Sequence, residues 1–370
     1  MDFGFSEEQL ALQDLAKKIF RGLCSVESLA ALEADAGGDG IHRVVWDGLG
    51  KAQMLGLALP EDVGGGGLGM IELCLLLEQA GDSVCPVPLI PTLTMAALPI
   101  AKFGTPGQRT ALLPPVVRGD SVLTAALVES GDAPVTATRD GDSWVLSGTK
   151  DCVPALHVAS RVLVPARTGE NTIGVFIVDP NAAGVTVTPQ VGTNGERLGR
   201  LELASVRMSL DAVLGDPLKG SAVVDFALER TYVGQCALEL GIARHALILT
   251  AKYTTERHQF GRPIATFQAV AQRAGDAYVD VETIRLTVFR AAWLLDEGRE
   301  ATREIAVAKL VAAEAGHRVV CAAQHLHGGI GFDRDYPLYR YFLASKQNEF
   351  TLGAAASHVA RLGLMIARES

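Results

Sequence analysis

The stretch QHLHGGIGFDRDYPLYRYF, residues 324–342, sets two histidines beside a Gly-Gly pair and then three tyrosines. Read alone it admits three structures: a metal site, a backbone cradle for an anion, or a turn between two helices. His325 and His327 stand two residues apart, which points them to different faces of a helix. A zinc pair prefers the i, i+4 spacing of His-Glu-x-x-His, a motif this chain lacks, so no metal is expected. Gly328, Gly329 and Gly331 let backbone N–H groups come close to an anion. The aromatic residues after Pro337 fit the core of a restarted helix.

Composition narrows the setting. The 370 residues are enough for two or three packed domains, and a hydrophobic content of 48% is that of a globular chain. A formal net charge of −9 argues against a general nucleic-acid role, which needs a basic face. Cysteines at 24, 74, 85, 152, 236 and 321 form no Cys-x-x-Cys pair, as expected of reduced thiols in a cytoplasmic protein. The opening MDFGFSEEQLALQDLAKKIF is acidic and amphipathic, unlike a signal peptide. No membrane span is expected, since no apolar run approaches the roughly 20 residues it needs.

Texture divides the chain into three. Residues 1–118 read as a helical domain whose first helix opens at Glu7, Glu8 and Gln9. Within it, PEDVGGGGLGMIELCLLLEQAG breaks at Pro60 and restarts near Met70. Its four glycines form either a plain loop or a phosphate cradle, although the Lys and Ser/Thr of a P-loop are missing. Residues 119–217 carry short β-branched segments (SVLTAALV, SWVLSG, RVLVPA, TIGVFIV, GVTVTP, RLELASV) with turns at Asp140-Gly141 and Pro180-Asn181, a small antiparallel β domain. Residues 218–370 return to long helices. There Phe267, Val270, Ala274, Tyr278, Val281, Ile284, Val288, Ala291 and Leu295 recur as one buried helix face, and a four-helix bundle is expected. The class is α+β.

RHQFGRPIATFQ, residues 257–268, leaves a helix at Arg257, turns at Gly261 and is expected to restart at Pro263. Arg257 is either an incidental corner residue or a guanidinium fork for a phosphate. Together with His-Gly-Gly-Ile-Gly-Phe…Tyr-Pro about 60 residues later, this corner strongly resembles the acyl-CoA dehydrogenase family. The resemblance spans nearly the whole chain and implies a helical domain, a β domain and a C-terminal bundle. It implies FAD as cofactor, an acyl-CoA substrate and an electron-transfer flavoprotein as acceptor. In the family these two motifs hold the ADP half of an FAD bound largely by the neighbouring subunit. By resemblance Arg257 and Gln259 meet the pyrophosphate, Phe260, Phe267 and Gln268 line that site, and Gly328 and Gly329 offer backbone to the ADP. His325 stands where the family usually has Gln, and can still bond a phosphate or ribose.

The resemblance fails where the chemistry belongs. The family's base is a glutamate that removes an α-proton from the thioester while the β-hydride goes to the flavin. Its usual position falls on Leu352, and its second known position on Thr231, or on Glu229 after a two-residue slip. Glu239 and Glu349 are the other nearby carboxylates, with solvated helix charge as their ordinary reading. In VESGDAPVTA only Glu129 remains of the family's flavin-side loop, and CVPA puts Cys152 and Pro154 in the isoalloxazine platform. The resemblance therefore implies the degenerate subunit of a heterotetramer, like those of actinobacterial steroid-CoA dehydrogenases, that completes the FAD site of a catalytic partner. The alternatives are a self-sufficient homotetramer using Glu229, and a family-fold scaffold or CoA-ester binder without dehydrogenase activity.

Overall fold

A computed structural model describes residues 4–35, 37–131 and 134–369. Helices α1 (Glu7–Leu23), α2 (Val26–Ala34), α3 (Arg43–Lys51), α4 (Met70–Ser83), a π-helical segment Ile90–Ala97, α5 (Leu98–Phe103) and α6 (Pro106–Arg118) come first. Strands β1 (Leu123–Ala125), β2 (Val128–Glu129), β3 (Thr136–Asp140), β4 (Ser143–Pro154), β5 (Arg161–Arg167), β6 (Ile173–Val178), β7 (Val185–Val191), β8 (Arg197–Ser209) and β9 (Val213–Leu214) follow. The C-terminal region holds α7 (Gly220–Glu256), a hairpin of β10 (His258–Gln259) and β11 (Arg262–Pro263), α8 (Gln268–Asp296), α9 (Thr302–His327), α10 (Leu338–Phe350) and α11 (Ala355–Glu369). This is the expected α+β order of helices, sheet and helices. By contact the chain forms two compact units: Met1–Leu29 with Met70–Cys85 and Tyr232–Ser370, and Ala30–Gly69 with Pro86–Thr231.

In the first unit α9 packs against α8, α10 and α11, and α1 against α4. Helix α1 opens with a capping box, Gln9 N–H donating to Ser6 Oγ and Ser6 N–H to Gln9 Oε1. The N-terminus of α4 is capped from the far end of α8: the N–H groups of Met70 and Ile71 donate to the Asp296 carboxylate at 2.6 and 3.0 Å. Helices α4 and α7 meet backbone to backbone, since a Cβ at Gly81 would lie 2.0 Å from the Leu238 carbonyl oxygen, and one at Gly241 equally close to that of Glu78. The apolar stripe of α8 holds at Val281, Ile284, Val288 and Ala291, but Tyr278 is 60% exposed. The deeply buried run of α8 begins only at Ala277.

In the second unit the four-glycine loop is settled by its hydrogen bonds. The N–H groups of Gly65, Gly66, Gly67 and Leu68 donate to the carbonyls of Pro60, Gly56, Leu59 and Leu57. No donor in that run is left for a phosphate, so the loop is a connection. The sheet runs β7-β8-β4-β3-β5-β6-β9, with β1 beside β5 and β2 beside β4. It is not purely antiparallel as expected: β1 and β3 both pair with β5 in parallel. Strand β5 is accordingly buried on both faces, reading as a continuous apolar run instead of an alternating one. Trp144, Leu146, Val162, Val164, Phe176, Leu201 and Val206 form the sheet's core.

Residues 338–368 have a mean hydropathy of 1.3 over an 18-residue window. They comprise α10 and α11, of 13 and 15 residues, separated by a turn at Leu352 and Gly353 that carries positive φ at both residues. Neither helix reaches the roughly 20 residues of a span.

Candidate functional site

The corner after α7 is a tight hairpin. Arg257 N–H donates to Tyr253 O at 2.8 Å, and Arg257 O accepts from Ile264 N–H at 2.8 Å, so the loop closes on Arg257. Phe260 and Gly261, at φ 53° and 76°, form the tip, in the geometry of a two-residue hairpin turn. Pro263 does not restart the helix as expected. It lies in β11 opposite His258 with an extended ψ of 137°, and after a single 3₁₀ turn α8 begins at Gln268. Phe260 is 93% exposed at the edge of the Phe267 ring, centroids 6.1 Å apart, and the Arg262 guanidinium lies 4.2 Å from that ring's centre. Arg257, Gln259 and Gln268 are exposed. Arg257 makes no ion pair with any described residue, and Gln259 Nε2 donates to the neighbouring His258 O.

The Gly-Gly turn ends α9. The two histidines part company: His325 is exposed, whereas His327 is buried. His327 Nδ1 donates to Ala323 O at 2.8 Å, so its Nε2 is the acceptor for the Tyr336 hydroxyl at 3.1 Å. Burial lowers its pKa, which favours the neutral ring, and the bond to Ala323 O sets this tautomer. The same ring stacks on Tyr253 at 4.4 Å. Tyr253 stands one turn before Arg257, and His327 directly precedes Gly328, so the Tyr253–His327–Tyr336 contact ties both motifs into one piece. Gly328 sits at φ 63°, ψ −141°, a conformation open essentially to glycine alone. Gly329 has no positive φ, and an added Cβ there would meet nothing within 4 Å. Nothing among the described residues demands glycine at 329.

The carboxylates tell the opposite story. Leu352 lies in the left-handed region at φ 59°, and its carbonyl accepts from the Tyr232 hydroxyl at 3.3 Å. Glu229 lies 3.8 Å from Arg230, whose guanidinium rests 3.4 Å above the Phe226 ring. Thr231 is buried and donates to Thr94 Oγ1 at 3.2 Å. Glu239 is not a solvated helix charge: it is 2% exposed and accepts from Ser345 Oγ at 2.6 Å and Asn348 Nδ2 at 2.9 Å. Burial pushes its pKa up to about 7 against those two hydrogen bonds and the Lys309 charge. That value suits a base, but both oxygens are committed inside the helices. Glu349 is also largely buried, paired with Lys346 at 2.6 Å and 3.6 Å from His317. Sequence reading missed the burial of Glu239 because Ser345 and Asn348 lie more than a hundred positions away.

On the sheet, Glu129 pairs with Lys150, which is 1% exposed, and accepts from Val135 N–H at 3.4 Å. The one residue kept from the flavin-side loop thus neutralises a buried lysine; Asp132 and Ala133 of that loop lie outside the described residues. Cys152 occupies a bulge in β4 at φ 52°, with its N–H given to Gln190 Oε1 at 2.9 Å. Pro154 has no N–H, and its carbonyl accepts from Thr124 Oγ1 at 2.7 Å. These groups of the platform face partners within the chain.

Comparison with known proteins agrees with the architecture. The family description "Acyl-CoA dehydrogenase, N-terminal domain" matches residues 6–120, and "Acyl-CoA dehydrogenase, C-terminal domain" residues 219–365. The chain is 37% identical to acyl-CoA dehydrogenase FadE27 of Mycobacterium tuberculosis, covering 99% of each. It superposes on a chain of the ChsE4–ChsE5 complex from Mycobacterium tuberculosis with a TM-score of 0.94, at 37% identity over 99% of both. A variant of the Tcur3481–Tcur3483 steroid ACAD gives a TM-score of 0.91 at 43% identity over 98% of both. FAD is the cofactor that goes with these matches. The chain belongs to the acyl-CoA dehydrogenase family.

Proposed function

We propose that this chain is the non-basic subunit of a heteromeric acyl-CoA dehydrogenase, lending ADP-side contacts to an FAD whose ring lies against a catalytic partner chain. The single observation that carries the reading is the contrast at the two halves of the site. Leu352 cannot accept a proton, while the Arg257 side chain is exposed with no ion pair to any described residue and a Cβ at Gly329 would meet nothing within 4 Å. Arg257 would supply a charge-assisted fork to the pyrophosphate, with Gln259 and Gln268 beside it. Gly328 and Gly329 would let the ADP approach the backbone, with Phe260 and Phe267 walling the corner and His325 on the exposed side of α9. FAD supplies the hydride chemistry when bound; this chain's residues hold and orient it.

A steroid side-chain CoA ester is the proposed substrate class, supported by similarity to a steroid ACAD. A heterotetramer with a homologous catalytic chain is supported by similarity to a chain of the ChsE4–ChsE5 complex. An electron-transfer flavoprotein is the proposed acceptor and the cytoplasm the proposed compartment. The deciding experiment is the flavin-to-protein absorbance ratio of the chain purified alone, then co-expressed with the product of the adjacent gene. Little flavin alone, rising to about one per pair, is the expected result. A full complement of flavin on the isolated chain would overturn the proposal and turn attention to Glu229, which would have to leave Arg230 to act as base.

A further inference from the structure

The ends of α1 and α4 and the start of α10 surround a cavity of about 180 Å³, and every residue lining it belongs to the first unit. Arg21, in the last turn of α1, stands at its mouth with a side chain 54% exposed. Among the described residues its ion pair is a 3.6 Å contact with Asp82. Asp82, near the end of α4, is engaged elsewhere as well: Arg244 lies 3.3 Å from its carboxylate, and its backbone carbonyl accepts from the Tyr341 hydroxyl at 2.8 Å. Arg340 brings a second guanidinium to the lining from α10 and is only 8% exposed. The rings of His245 and Tyr341, stacked at 4.9 Å and 4° from parallel, add a flat wall.

Much of the remaining wall is apolar, with Val26 and Leu29 from α2, Pro337 before α10, and Val84 after α4. Val84 is the informative one. The N–H of Cys85 donates to Ala80 O at 3.3 Å and that of Val84 to Gly81 O at 3.2 Å, the paired bonds of a Schellman cap. Val84 thus fills the left-handed position of that cap, at φ 44°, where glycine is the ordinary residue. A β-branched side chain is strained there. What this one supplies is apolar surface, packed on the core around Ile242 and Leu338 and lining the cavity.

We propose that this cavity binds a short aliphatic carboxylate, its charged end held by Arg21 and Arg340 and its chain laid against Val26, Leu29 and Val84. A guanidinium fork matches the planar geometry of a carboxylate, which suits the ligand's polar end. The negative charge of Asp82 is met by Arg244, so Arg21, at 3.6 Å, can turn from it toward a ligand. A few directed polar groups in an otherwise apolar hollow are the ordinary make-up of a small-molecule site. Size sets the chain length. An apolar cavity of about 150 Å³ holds benzene, with about six non-hydrogen atoms. The 180 Å³ here therefore suits a carboxylate of about four or five carbons. Occupancy joins α1, α2 and α10, so binding stabilises the first unit by mass action.

No residue of the proposed flavin corner takes part, so the site stands or falls apart from the lending role. The test titrates the full-length chain with butyrate, acetate, butyramide and inorganic phosphate, followed by saturation-transfer NMR and thermal unfolding. Butyrate should bind with a dissociation constant on the order of 1 mM, about tenfold tighter than acetate. At saturation it should raise the melting temperature by about 2 °C. Butyramide, which lacks the charge, and phosphate, which lacks the chain, should each bind no tighter than acetate. Arg21→Ala, at an exposed position, should weaken butyrate about tenfold. Arg340→Lys, which keeps the charge and loses the fork, should weaken it as well. Val84→Gly eases the cap but removes the wall, so the advantage of butyrate over acetate should vanish. Circular dichroism of each variant confirms folding. Butyramide or phosphate binding as tightly as butyrate, an unmoved butyrate affinity in the Arg21 and Val84 variants, or no butyrate signal with the unaltered chain would each overturn the proposal.

Discussion

The Arg257–Gly329 region and the Leu352–Cys152 positions differ less in composition than in where their polar groups point. In the first, a guanidinium and two amides are exposed and Gly329 faces open space, held on a frame of Tyr253, His327 and Tyr336. In the second, the Leu352 carbonyl, the Cys152 N–H and the Pro154 carbonyl each have a partner in the same chain. A polar group already satisfied at home has little to give a ligand, because binding would only exchange one hydrogen bond for another. The contrast is between polar groups left exposed and polar groups already satisfied within the chain.

The contrast can be broken most directly at Arg257. Arg257→Ala should cost FAD about 1.5–3 kcal/mol of binding in the partnered complex, roughly ten- to a hundredfold in dissociation constant, read by fluorescence titration. Unchanged flavin affinity would remove Arg257 from the site. Gly329→Val sharpens the test, because a Cβ added there would meet nothing within 4 Å. Flavin affinity should fall about tenfold while the melting temperature moves by less than about 2 °C. A matching loss of stability would mean that Gly329 serves the fold and not a ligand.

Glu239 probes the closed interior. Its folded-state pKa of about 7 lies above the ordinary 4.5, so the folded chain holds that proton more tightly than the unfolded chain. The stabilising contribution is complete below pH 4.5 and is lost as pH rises through 7. Urea unfolding across that range should show the decline, and Glu239→Gln should flatten it. Tyr336→Phe, which leaves His327 Nε2 without its donor, should destabilise by about 1 kcal/mol and soften the frame under both motifs. The smallest effect belongs to Leu352→Glu. Tyr232 bonds the backbone at 352, not its side chain, so stability should change by less than about 0.5 kcal/mol. Flavin content should not move, and the isolated chain should gain no dehydrogenase turnover.

Much of this was written locally. The apolar and β-branched runs gave the helices and most strands, and the two C-terminal motifs gave the proposed nucleotide residues one by one. Strand β3, TATRD, escaped notice because four of its five residues face water and carry no β-branched run. The helix start at Pro263 failed because proline's fixed φ serves an extended residue as well as a first helical turn, and pairing with His258 decided the matter. The frame joining Tyr253 to His327, the commitment of Cys152 N–H to Gln190 and the burial of Glu239 all depend on residues distant in sequence. Periodicity and spacing have no access to them.

The Asp296 carboxylate that caps α4 also orders events in time. Its partners, Met70 and Ile71, leave the ribosome more than two hundred residues earlier. Until α8 is complete, α4 waits with an uncapped N-terminus, a deficit of about 1 kcal/mol, and α1 waits with it because the unit they share is finished only by the C-terminal helices. The segment between them can settle first. Synthesis therefore holds an apolar helix exposed for most of its duration, the interval in which a nascent chain most needs a chaperone.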